Sequence, residues 1–170
     1  KGLITPSLYG LVGLNSPGGP AQKVVVEQST FGTNLNPGQE SYLVGFSSVE
    51  HLRIVQNRFP GSSNSDALHL EEANDNAIVV NNYIDGGHLR GIFFTDGNHR
   101  LASGRNFSPT TLKIVGNVIR RLADVSTGKD VGVYIHIVDP QNDGHFRIEG
   151  RLNRVESYAR CFIADNVPST

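Results

Sequence analysis

Ala77-Ile-Val-Val-Asn-Asn82-Tyr-Ile84 decides the fold. The segment runs apolar, ends at Asn82 and sets a β-branched residue two positions later. Leu52-Arg-Ile-Val-Gln-Asn57-Arg-Phe59 and Leu112-Lys-Ile-Val-Gly-Asn117-Val-Ile119 repeat the pattern, and Val24-Val-Val-Glu-Gln-Ser29-Thr-Phe31 is an earlier copy with Ser in the Asn position. A second motif alternates with the first: Ser41-Tyr-Leu-Val-Gly, Asp66-Ala-Leu-His-Leu-Glu, Arg90-Gly-Ile-Phe-Phe-Thr, Val131-Gly-Val-Tyr-Ile-His and Ala159-Arg-Cys-Phe-Ile-Ala. By period-two alternation its inward pairs are Leu68/Leu70, Ile92/Phe94, Val133/Ile135 and Cys161/Ile163. From Ile54 to Val79 is 25 residues and from Leu68 to Ile92 is 24. Recurrence at that period marks stacked units. Two short strands per 25 residues, with turns between, predict one coil of an all-β solenoid of about five coils.

The physics supports stacking. One coil has too little core to fold alone, but stacked coils pair every backbone with its neighbours at roughly 4.8 Å, and equivalent residues form rows. An asparagine repeated at a turn satisfies backbone groups and its neighbours in the row, and its side chain tolerates left-handed turns. Asn57, Asn82 and Asn117 therefore read as structural rather than as ligands. No stretch carries a sustained apolar helical period, and 19 Gly and 8 Pro punctuate the chain.

Residues 1–170 read as a single β-helix domain, or a section of a larger β-helix protein, with 1–20 as an irregular first coil or cap. A formal charge of −1 gives no drive toward nucleic acid, and no apolar run has the length of a membrane span. The single cysteine, Cys161, excludes an internal disulfide and reads as a packed thiol. The chain begins with Lys1 and has no Met, which reads as a processed or excised piece of a longer protein.

The alternating strands, as in Gly91-Ile92-Phe93-Phe94 and Val79-Val-Asn-Asn82-Tyr-Ile84, resemble the right-handed parallel β-helix of the pectate-lyase-like superfamily over roughly residues 20–166. That superfamily includes polysaccharide lyases, hydrolases and phage tailspike depolymerases. The resemblance implies a carbohydrate-active protein at an extracellular site or virion surface. It carries no catalytic motif with it. It also implies calcium as a candidate cofactor, for which Glu71-Glu-Ala-Asn-Asp-Asn76 offers carboxylate and carbonyl oxygens; a plain Asx-rich turn is the preferred reading of that run. No other metal site or cofactor motif is present.

Candidate chemistry lies on the outward row of the second motif. If Leu68 and Leu70 face in, His69 faces out and aligns with Phe93, Tyr134 and Phe162, while Glu71 aligns with Thr95, His136 and Ala164. Rings stacked along a groove suit the apolar faces of sugars, or else are covered by an insertion or a neighbouring subunit. Glu72 and Asp96 align in adjacent coils, so their backbones sit roughly 4.8 Å apart. That suits the carboxyl pair of a retaining glycosidase, about 5–5.5 Å apart, in which each group raises the other's pKa. Glu71 and His136 form a second acid–base pair, two coils apart. Taken singly, each acid reads more readily as a surface or turn residue.

Two later coils are longer: Val79 to Ile114 is 35 residues and Ile92 to Val133 is 41. The excess lies in 97–109 and 120–130, bringing His99, Arg100, Arg105, Arg120, Arg121 and Lys129. With Arg90 these read either as an electropositive groove for an acidic polysaccharide or as ordinary surface charge. Three functions follow. The favoured one is a polysaccharide hydrolase or lyase, with Glu71, Glu72, Asp96 and His136 catalytic and His69, Arg90, Phe93, Tyr134, His99 and Arg100 on substrate. The others are a non-catalytic polysaccharide-binding module, and a fibre section whose ring row is buried in a homotrimer or against the rest of a longer β-helix.

Overall fold

The computed structural model describes residues 9–13, 21–32, 42–47, 49–60, 65–71, 76–85, 89–95, 111–121, 130–136 and 147–165. Among them there is no helix, and fifteen strands form three parallel sheets. The six-stranded sheet holds β1 (Tyr9–Gly13), β3 (Tyr42–Ser47), β6 (Asp66–Glu71), β9 (Arg90–Thr95), β12 (Val131–His136) and β15 (Arg160–Asp165), in that order. The five-stranded sheet holds β2 (Ala21–Glu27), β4 (Val49–Val55), β7 (Asn76–Val80), β10 (Thr111–Val115) and β13 (Arg147–Arg151). The four-stranded sheet holds β5 (Arg58–Phe59), β8 (Tyr83–Asp85), β11 (Val118–Arg120) and β14 (Arg154–Glu156). From β3 onward the chain visits the three sheets in fixed rotation, and each strand pairs parallel with its equivalent one coil away. The arrangement is consistent with a parallel β-solenoid.

Each complete coil has three strands, not the two expected. The third runs Arg58–Phe59, Tyr83–Asp85, Val118–Arg120 or Arg154–Glu156. Two or three residues are too few to show a period, so in the sequence this strand merges with the tail of the asparagine motif. Its inward residues, Phe59, Ile84 and Ile119, complete a core with Leu52, Leu68, Val79 and Phe94, all fully buried. Burying each such side chain stabilises the fold by about 1.5–3 kcal/mol. Of residues 1–20, Tyr9–Gly13 is an ordinary strand in register with β3, while 1–8 and 14–20 lie outside the described residues.

The corner between the five- and four-stranded sheets explains the asparagines. Gln28, Gln56, Asn81, Gly116 and Leu152 take left-handed φ values of 48° to 66° there, and the motif asparagine or Ser29 follows each. The sharp turn thus falls on the residue before the asparagine, not on the asparagine itself. Asn57, Asn82 and Asn117 are buried and form a ladder. The amides Nδ2 and N of Asn57 donate to Asn82 Oδ1 (3.0 and 2.9 Å), and those of Asn82 donate to Asn117 Oδ1 (2.9 Å each). Each Nδ2 also donates to a carbonyl of the preceding coil: Asn57 to Val26, Asn82 to Ile54 and Asn117 to Val79 (2.8–2.9 Å). Asn153 is a fourth rung, accepting from Asn117 and donating to Ile114 O. Its strand, Arg147–Arg151, lacks the apolar run that marked the other copies.

The last strand departs from expectation by one residue. Val133 pairs with Phe162 and Tyr134 with Ile163, so Phe162 leaves the outward row and takes the inward one. Cys-Phe-Ile-Ala is apolar in both alternations, so sequence alone does not fix this register. Phe162 is 51% exposed, since no described coil covers it. Cys161 is exposed as well, rather than packed.

Candidate functional site

The outer face of the six-stranded sheet gathers the described candidates. Strand pairing places His69, Phe93, Tyr134 and Ile163 in one row across successive coils. Gly45 occupies that row in the coil before His69, and the ring beside His69 comes from Tyr42 instead. Ring centroids are 4.0 Å apart for Tyr42–His69, 5.0 Å for His69–Phe93 and 5.5 Å for Phe93–Tyr134. A row beside it runs Asp66, Arg90, Val131, Arg160, and on the other side Thr95, His136 and Asp165 align.

His69 is the best-held residue on this face. It is only 6% exposed, under Tyr42 and beside Phe93. Its Nδ1 meets Asp66 Oδ2 at 2.6 Å and its Nε2 meets Glu71 Oε2 at 2.9 Å. Burial pushes its pKa down, but the hydrogen bonds and charges of Asp66 and Glu71 outweigh that and raise it to about 9. At neutral pH it is an imidazolium that donates from both nitrogens. Asp66, fully buried, also accepts from Arg90 Nε at 2.6 Å. The Arg90 guanidinium lies over Phe93, 3.8 Å from the ring centroid, and 5.9 Å from that of Tyr134. One buried carboxylate thus fixes two cations, and each cation lies against a ring.

Phe93 and Tyr134 are the half-buried rings of the row. The Tyr134 hydroxyl donates to Asp165 Oδ2 at 2.7 Å; that bond, with burial second, raises its pKa. Glu71, half-exposed, is tied to His69 and does not approach His136, whose strand lies two coils away. His136 Nδ1 is buried with no hydrogen-bond partner among the described residues, and its ring lies 6.0 Å from Tyr134. Glu72, Asp96, His99 and Arg100 lie outside the described residues, as do Arg105 and Lys129. Arg120 and Arg121, expected beside the groove, belong elsewhere. Arg120 grips Asp85 with two bonds of 2.8 and 2.9 Å on the four-stranded sheet, and Arg121 is buried against Asp130 at 3.4 Å.

Asp66, Asp165 and Tyr42 were not singled out in the sequence. Asp66 had a signal: it opens its motif copy where Arg90 opens the next, so the two stack as a pair. Asp165 had none, because its place depends on the register of the last strand. Among the described residues, no group of three or more His, Cys, Asp or Glu side chains is arranged to hold a metal ion, and no helix is long and apolar enough to cross a membrane. Residues 72–75 of the calcium candidate lie outside the described residues. Comparison with protein-family models, curated proteins and solved structures returns no match to this chain.

Proposed function

We propose that the chain is a right-handed parallel β-helix of the pectate-lyase-like kind, and that the outer face of its six-stranded sheet binds a polysaccharide laid across the coils. The observation that carries this reading is the row Tyr42–His69–Phe93–Tyr134. Its rings follow one another at 4.0–5.5 Å in the stacking direction, with Arg90 seated on them. Half-buried Tyr134, with the part of half-buried Phe93 that Arg90 leaves uncovered, offers apolar ring surface to sugar C–H faces; Asp165 holds the Tyr134 hydroxyl and Asp66 holds Arg90 on Phe93 before a ligand arrives. Cleavage, by hydrolysis or elimination, falls in this proposal to Glu72 and Asp96, with Glu71 and His136 at the groove. An extracellular or virion-surface setting is the one in which such a polymer is met.

A binding-only module is the second reading, and one observation favours it. Each carboxylate described on this face is already bonded: Asp66 to His69 and Arg90, Glu71 to His69, and Asp165 to Tyr134. Incubation with acidic and neutral polysaccharides, following new reducing ends and the ultraviolet absorbance of unsaturated products, separates the readings. Reducing ends that vanish in Glu72→Gln and Asp96→Asn support cleavage by that pair. Binding without new ends, in the wild type and both variants, supports the module. Neither binding nor cleavage of any polymer leaves the homotrimeric fibre section.

A further inference from the structure

The two ends of the stack carry open strand edges, and they fit one another. At one end β13, β14 and β15 have no further strand beside them among the described residues; at the other, β1, β2 and Thr30 stand in the same position. The inward side chains of the last coil are only partly covered. Ile148 and Val155 are half-buried and Phe162 is exposed, whereas Leu112, Ile119 and Val133, one coil before, are buried. Gly150 stands where Val26, Ile54, Val79 and Ile114 fill the core, and a Cβ there meets nothing within 4 Å. A half-covered core end with open strand edges is a template for another chain.

The asparagine corner gives this end a polarity. In each earlier coil the left-handed residue donates its N–H to the strand-end carbonyl of the next: Gln28 to Val55, Gln56 to Val80, Asn81 to Val115 and Gly116 to Arg151. The residue after it donates to the next rung, as Ser29 N does to Asn57 Oδ1 and Asn117 N to Asn153 Oδ1. In the last coil Leu152 N and Asn153 N have no such acceptor among the described residues. The acceptors that continue the series stand at the other end of the same chain. Glu27 O is the strand-end carbonyl there, taking the Ser29 hydroxyl, and that hydroxyl oxygen keeps acceptor capacity in the rung position. Two copies of the last coil set face to face would oppose donors to donors.

Side chains agree with that register. Adding one coil to the sheet pairing sets Ile148 on Val24, Gly150 under Val26 and Val155 on Phe31. It also sets Arg151 on Glu27; Arg151 bonds to Glu149 at 2.9 Å, and both Arg151 and Glu27 are exposed. One pair is unfavourable, Arg147 on Lys23, both exposed. We infer that the two ends form an interaction surface for a second copy of this chain, the first coil of one copy seated on the last coil of another. Such a head-to-tail contact repeats rather than closing on a dimer. It leaves the ring row open along the side of the stack and does not depend on the polysaccharide reading.

The test is sedimentation of the full chain over a range of concentrations. The weight-average mass is expected to climb about threefold or more above the 18.4 kDa of one chain, because an open stack does not stop at two copies. Glu27→Arg and Arg151→Glu each set like charges across the contact, and each is expected to weaken association about tenfold or more. Mixed in equal amounts, the two variants are expected to regain wild-type assembly, since every contact in an alternating stack then joins opposite charges. Lys23→Glu is expected to strengthen association. Urea unfolding of each variant checks that the folded chain is being compared. A mass that stays at one chain, or settles at two or three, overturns the proposal. So does indifference to both substitutions, or a mixture that fails to regain assembly.

Discussion

Two rows of side chains run along the stack, and they are built on opposite principles. The asparagine ladder repeats one residue type at one corner, and its middle rungs fill the same acceptor and the same carbonyl in each coil. The ring row on the six-stranded sheet changes residue at every coil, from Tyr42 and His69 through Phe93 to Tyr134, and its polar partners differ at each step. Uniformity serves the fold, because each coil needs the same turn. Variation along a row with the same backbone spacing has no such explanation, and the proposed binding face lies on the ring row.

Four changes separate the two rows, from the largest effect to the smallest. Asn82→Ala removes the acceptor of Asn57 N and Nδ2 and the donor to Ile54 O, all buried. At about 1–3 kcal/mol per unsatisfied group, the loss is about 4 kcal/mol in urea unfolding, with ligand binding unchanged wherever the chain still folds. Asp66→Asn leaves two cations beside a neutral amide. Removing one partner of a buried pair costs about 3 kcal/mol, and here binding should fall as well, because Arg90 loses its anchor.

The third concerns pH. The His69 pKa is raised in the folded chain from 6.5 to about 9, so its contribution is present in full below about pH 6.5 and is lost as pH rises through 9. That contribution is on the order of 3 kcal/mol, and a plot of stability against pH should lose part of this slope in Asp66→Asn, the rest remaining with Glu71. The smallest effect belongs to Asn153→Ala. This rung is half-buried at the end of the ladder, so the cost should be about 1 kcal/mol; a cost equal to that of Asn82→Ala would show that the ladder does not act rung by rung.

The repeats made most of the architecture legible. Apolar runs ending at Asn57, Asn82 and Asn117 gave the period, the parallel stacking and the direction of Leu68, Ile92 and Val133. The four-stranded sheet was hidden because strands such as Arg58–Phe59 are shorter than any period. Asn153 was hidden because Arg147–Arg151 is charged, and Phe162 was misplaced because its strand is apolar in both alternations. At the site, the alignment of His69, Phe93 and Tyr134 followed from register alone. The interactions of Asp66 with His69 and Arg90 did not. They depend on side-chain reach across a row boundary, which periodicity does not encode.

The most direct test of the central claim compares polysaccharide binding by Phe93→Ala and Tyr134→Ala with that of Tyr83→Ala. Tyr83 lies on the four-stranded sheet between Arg58 and Arg120, a similar ring in a similar cationic setting but off the proposed face. The account predicts that each of the first two weakens binding about tenfold or more while Tyr83→Ala leaves it unchanged. Equal losses in all three, or a loss confined to Tyr83→Ala, would contradict it.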